Sequence, residues 1–196
     1  MTRRSSWRAR FAAVLPRRSR WKVRSRALGP RWRPFVDDAV AAESRYHAAV
    51  RRLDKGPLRE RLETVGRDVA TAVDQTWQVA SAGQDLTDAK DAIDVGEILG
   101  ALERSEGAAA DVRRRQLEVA KQVDQRLVAT ETRLRELDAR LDEAVTRALA
   151  LGATQQTDAL AGIGSAVTEV VAELTNLSAG LAELPALPPA PGTTER

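Results

Sequence analysis

The chain has 196 residues, of which 43% are hydrophobic but only 4% aromatic, and it carries a net charge of +3 with no cysteine. That composition excludes disulfides, thiol catalysis and sulfur-ligated metal sites, and no run approaches the ~18 consecutive apolar residues of a membrane-spanning helix. Twelve of the 31 Arg/Lys and none of the 28 Asp/Glu fall in residues 1–34, so the net charge divides into +12 there and −9 on the remainder.

Residues 1–34 read as a basic, Arg/Trp-rich, partly disordered arm. Trp7, Phe11 and Val14 recur at i, i+4 and i+7 with Leu15 beside them, a spacing that predicts about two to three turns of amphipathic helix ended near Pro16. The remainder of the arm has no clean period and contains Pro30 and Pro34, which predicts disorder. Arg3-Arg4 resembles a twin-arginine start, but the apolar run Phe11–Leu15 is too short for the h-region that should follow. The expected location is cytoplasmic, peripheral at the inner face of the plasma membrane.

Three readings of the arm compete. Trp7, Phe11, Trp21 and Trp32 interleave with Arg8, Arg10, Arg17, Arg18, Arg20, Lys22, Arg24, Arg26, Arg31 and Arg33. Rings at headgroup depth and cations on phosphate suit an anionic lipid surface. The same cations suit nucleic-acid phosphates, with Trp stacking on bases. The third reading is a solvated tail, or arginine-rich sequence translated from an upstream start. The rings favour lipid, because a tail that only grips phosphates needs no large apolar side chains.

Beyond Pro34, Val36, Ala39, Val40, Tyr46, Val50 and Leu53 keep a helical beat that predicts a helix over 35–54. Asp54-Lys55-Gly56 should end it, with Gly56 in the left-handed conformation, and Pro57 suits the first turn of the next helix. Leu58, Leu62, Val65, Val69, Ala72, Thr76 and Val79 form a seam over 58–82, with Trp77 beside it on Val73. So short a turn predicts an antiparallel hairpin. His47, the single histidine, falls on the flank of the first helix.

Gly83 opens a weaker stretch, an acidic connector over 83–106 in which Asp85, Asp88, Asp91, Asp94 and Glu97 recur every third residue. Calcium loops place their ligands differently, and on a helix a spacing of three drifts roughly 60° per step. The ladder therefore reads as a solvated face with Ile93, Ile98, Leu99 and Leu102 buried, or as a dock for a basic partner such as the arm itself.

Residues 111–151 read as one long helix of roughly 60 Å. Ala120, Leu127, Leu134, Leu141 and Ala148 mark one heptad position, and Val123, Thr130, Leu137, Ala144 and Leu151 the other. Acid-before-base pairs at i, i+4 (Asp111–Arg115, Glu131–Arg135, Glu136–Arg140, Glu143–Arg147) mark its exposed flanks. Arg113-Arg114-Arg115 fan around the helix as a solvated face. The two glycines of Gly96–Gly100 have the wrong spacing for a nucleotide loop, and no catalytic motif is present. The expectation is a non-enzymatic chain without metal, cofactor or small-molecule substrate.

A hinge is expected around 152–164, where Gln155 and Asp158 break the register. The C-terminal helix of 152–184 then carries Leu160, Ile163, Val167, Val170, Leu174, Leu177, Leu181 and Leu184 in three–four alternation. A seam this apolar must be buried. It either folds back on the 111–151 helix or meets the same seam of a second copy, and the break in register favours a homo-oligomer. Residues 185–196 form a Pro-rich disordered tail that could sample polyproline II.

With Arg outnumbering Lys 27 to 4, Asp54-Lys55-Gly56-Pro57-Leu58-Arg59 between helices and a lone Trp77 in the second helix, the chain resembles uncharacterised all-helical coiled-coil proteins of high-G+C actinobacteria over about residues 40–184. The resemblance implies no catalytic or binding residues. The expected fold is all-α. An antiparallel helical hairpin over 35–82 packs on a long coiled-coil-like helix to form a body of 35–151, followed by the C-terminal heptad helix. The expected function is a scaffold or adaptor that sits on an anionic lipid surface, or binds another protein, through its arm and self-associates through its seams. The alternative is a nucleoid-associated, nucleic-acid-binding protein.

Overall fold

The computed structural model describes residues 25–154 and 160–183. Among them the fold is all-α, a four-helix bundle with no strand. Helix α1 spans Arg33–Val50, α2 Pro57–Asp91, α3 Val95–Glu103, α4 Gly107–Thr154 and α5 Leu160–Ala182. Helices α2 and α4 each touch both α1 and α5 as well as one another, and α3 packs on α4 alone to any extent. The largest interface is α2 on α5.

Chain direction follows from which residues meet. Trp32 lies on Gly83 and Tyr46 on Gly66, so α1 and α2 are antiparallel. Arg31 pairs with Glu131 and Arg45 with Asp142, so α1 and α4 run the same way. Gly164 lies against Val65. Glu173 reaches back to Arg133 and Arg140, giving an up-down-up-down bundle. The start of the described chain, the end of α2, all of α3 and the end of α5 therefore gather at one end. There α4 projects beyond its bundle partners, with α3 on its flank.

One continuous core holds the four helices together. Leu127, Leu134, Leu137 and Leu141 of α4 are at most 2% exposed, and Val69, Val73 and Val79 of α2 are fully buried. Ala120, Val123, Thr130, Ala144 and Ala148 are buried too. From α5, Ile163, Val167, Val170, Leu174 and Leu181 enter the same core, with Leu177 half-buried at its edge. The seam from Ile163 to Leu181 is thus covered within the chain by α2 and α4; the Leu160 side chain lies outside the described residues. The reason is length: α4 and α2 are long enough to offer α5 a full-length groove.

Several element boundaries differ from the sequence reading. Helix α1 ends at Val50 and α2 runs on to Asp91, straight through the expected connector start at Gly83. Gly56 is extended, with φ 167°, and serves as the N-cap of α2 with Pro57 in its first turn. It needs no left-handed backbone. Within 83–106 only α3 and its flanking turns lie outside the long helices. Asp94 begins α3 by accepting a hydrogen bond from the Glu97 backbone N–H at 2.9 Å, a side-chain N-cap. Gly107 (φ 57°) turns the chain from α3 into α4.

Candidate functional site

The arm reading must be corrected at its C-terminal end. Trp32 is completely buried. Its indole Nε1–H donates to Thr87 Oγ1 at 3.0 Å, and its ring lies 6.5 Å from that of Phe35. A Cβ on Gly83 would come within 2.6 Å of the ring, so glycine inside α2 is the socket for this tryptophan rather than a weak point. Arg33 donates to the carbonyls of Ser25 at 3.2 Å and Leu28 at 3.0 Å. Arg31 pairs with Glu131 at 2.9 Å and stacks over Trp32 at 5.4 Å. Gly29 N–H donates to Gln84 Oε1 at 2.8 Å. Residues 25–34 are therefore part of the folded body, and Trp32, Arg31 and Arg33 are occupied by it. Arg26 is exposed. Trp7, Arg8, Arg10, Phe11, Arg17, Arg18, Arg20, Trp21, Lys22 and Arg24 lie outside the described residues, as does Leu184.

Gly29 thus lies beside the last two turns of α2, where the acidic ladder begins, while Ser25 and Arg26 lie against Asp37, Val40 and Ser44 of α1. Asp85, Asp88 and Asp91 are exposed on those turns, Asp94 caps α3, and Glu97, Glu103 and Glu106 are exposed beyond it. The ladder is shared between two helices, which explains why its regular spacing does not make one face. Among the described residues no group of three or more His, Asp or Glu is arranged to hold a metal ion. Lys90, the cation inside the ladder, turns to Asp124 on α4. Its hydrogen bond and charge hold the Asp124 carboxyl below the usual carboxylate range, helped by the charge of Arg31. Of the apolar residues assigned to this stretch, Ile98 is buried and Leu99 is 48% exposed, with Val95 beside it at 42%.

Two further features are cross-helix. Between α1 and α4, Asp138 is half-buried facing Asp38 and its neighbour Asp142, while Arg45 pairs with Asp142. Burial first, then the two like charges, push the Asp138 carboxyl up to about 6 against the opposing pull of Arg45. Between α4 and α5, Ala129, Thr130, Leu177, Gly180 and Leu181 line an open groove of about 520 Å³ with Arg126 and Arg133 on its rim. Along the chain nothing marked either, since each needs residues brought together from distant helices.

Of the expected flank pairs, Glu131–Arg135 and Glu143–Arg147 form. Asp111 takes Arg114 instead of Arg115, and Arg140 turns across to Glu173 instead of Glu136. His47 keeps its flank position, half-buried with Nε2 at 3.8 Å from the buried Glu43. Tyr46 donates its hydroxyl to the Leu62 carbonyl at 2.7 Å, and burial, then the charge of Asp68, raise its pKa above the usual tyrosine value. No protein-family model, no curated protein and no solved structure significantly matches this chain.

Proposed function

We propose that this protein is a non-enzymatic helical scaffold that attaches to an anionic lipid surface through residues 1–24. The observation that carries this reading is the composition of residues 1–24, set beside a body that already engages Arg31, Trp32 and Arg33. Residues 25–34 pack on the bundle, while the 24 residues before them hold nine Arg/Lys, no Asp or Glu, and the rings of Trp7, Phe11 and Trp21. Rings among cations favour a headgroup layer, where each charge adds about 1 kcal/mol and each ring adds apolar burial. In this reading the bundle is the cargo-bearing part, held at the inner face of a membrane, and its heptad positions pack in the manner of a coiled coil. Self-association through those seams would require α5 to be exchanged between copies, since the same residues already pack within one chain.

Flotation of the full chain with neutral and with phosphatidylserine-containing vesicles tests the proposal. Binding should need the anionic lipid. Trp7→Ala with Phe11→Ala should weaken lipid binding more than heparin binding. Equal losses in both assays would remove the lipid-specific role of the rings. Absent lipid binding beside a DNA affinity that falls steeply with salt would favour the nucleic-acid reading.

A further inference from the structure

We propose that the α3 end of the bundle is a docking surface for residues 1–24 of the same chain. The surface has two kinds of complementarity to that segment. Its carboxylates are exposed on adjoining helices, Asp85, Asp88 and Asp91 on α2 and Glu97 on α3, and the neighbouring cation Lys90 is engaged by Asp124. Val95 and Leu99 stand one turn apart on α3, 42% and 48% exposed, so they share a face. An exposed apolar pair at the same end as these carboxylates is matched by a segment in which Trp7, Phe11 and Val14 recur at helical spacing among arginines.

Tethering makes this the favoured occupant. The chain enters the described structure at Ser25, and Gly29 N–H is bonded to Gln84, one residue before the first of these carboxylates. From Gln84 to Val95 the main chain advances eleven residues, about 17 Å if fully helical, and the stretch from Ser25, against α1, to Gly29 adds at most ~14 Å. Residues 15–24, extended, reach up to ~33 Å. The second binding event is thus intramolecular, at an effective concentration of the millimolar order that short linkers give. Individually weak exposed ion pairs suffice at that concentration. A docked segment would offer its cations to α3 or to an external polyanion, not to both at once. The docking itself does not rest on the lipid reading.

The native chain has no cysteine, so Ser6→Cys with Ala92→Cys accepts two spin labels on the full-length protein. Pulsed dipolar spectroscopy without lipid should find a short, narrow distance population. Asp85→Lys with Asp91→Lys and Leu99→Ser, all at exposed positions, should reduce that population several-fold. So should raising ionic strength from ~0.1 to ~1 M, which cuts the Debye length from ~10 to ~3 Å; this arm needs no variant. A broad distribution in the unsubstituted surface at low salt would overturn the proposal. So would a short population indifferent to both changes, or one that disappears on tenfold dilution with unlabelled chain, which would assign the contact to a second copy.

Discussion

Where α1, α2, α4 and α5 run side by side, each apolar stripe is covered from two sides; where α4 projects with α3, it is covered from one. The consequence is visible residue by residue. Leu127, Leu134, Leu137 and Leu141 are essentially sealed, whereas the projection seals only Ile98 and Ala110 and leaves Val95, Leu99 and Val112 between 42% and 48% exposed. A helix sealed on two sides contributes to one cooperative unit. A short helix sealed on one side has few contacts that the bundle's unfolding must break. The same chain thus holds a stable section and an adaptable one, and substitutions can separate them.

The largest effect should come from the centre of the sealed section. Leu134→Asp puts an unpaired carboxylate at a position 2% exposed and should cost several kcal/mol. Loss of the helical signal or of cooperative urea unfolding is the expected readout, and a well-folded variant would mean that the seam is not sealed in solution. Trp32→Ala comes next, at about 3–5 kcal/mol. Its complement, Gly83→Ala, places a methyl 2.6 Å from the same ring and should cost about 1–3 kcal/mol by overpacking. Chemical denaturation of the two variants and their combination should reveal strong non-additivity, because both act on one contact.

A smaller effect of opposite sign is expected at the α1–α4 seam. With its carboxyl pushed up to about 6, folded Asp138 holds its proton where the unfolded chain, near 3.9, has lost it. The stability this contributes is fully present below the unfolded value and is lost as pH rises through about 6. Asp138→Asn should therefore raise stability at pH 7 by about 1 kcal/mol, discounted for the group's partial exposure, and should flatten the pH dependence between those two values. Unfolding midpoints that keep their slope in the variant would contradict the assignment. The smallest global effect belongs to the projection. Ile98→Ala should leave the bundle's melting temperature nearly unchanged while hydrogen exchange over residues 95–103 accelerates, and a clear drop in melting temperature would join the two regions into one unit.

The sealed section was the legible part. A three–four spacing carries its own periodicity, so Leu127, Leu134 and Leu141 could be placed on one stripe without knowing what covers it. What covers it was not legible: the seam of α5 states a need for burial, and only the lengths of α2 and α4 satisfy it within one chain. Trp32 was misread for a related reason. A tryptophan between arginines and prolines looks like a surface ring until its socket is known, and the socket is an absence of side chain at Gly83, 51 positions away. Gly83 in turn looked like the end of a helix because propensity is local, whereas the ring filling its place is tertiary. The ion pairs show the same division. Two of those within one turn of α4, Glu131–Arg135 and Glu143–Arg147, could be anticipated, but Arg31–Glu131, Arg45–Asp142 and Arg133–Glu173 could not.

Helix α4 runs unbroken through both regions, 48 residues from Gly107 to Thr154, or about 72 Å of helix axis. Mechanically it is a single rod whose far portion is clamped and whose near portion projects. A pull or twist applied at α3 would be passed along a hydrogen-bonded rod into the core rather than absorbed by a hinge between the two. The rod also sets a fixed separation. Gly107 is thereby held a defined distance from the opposite end of the bundle, where α1 turns into α2.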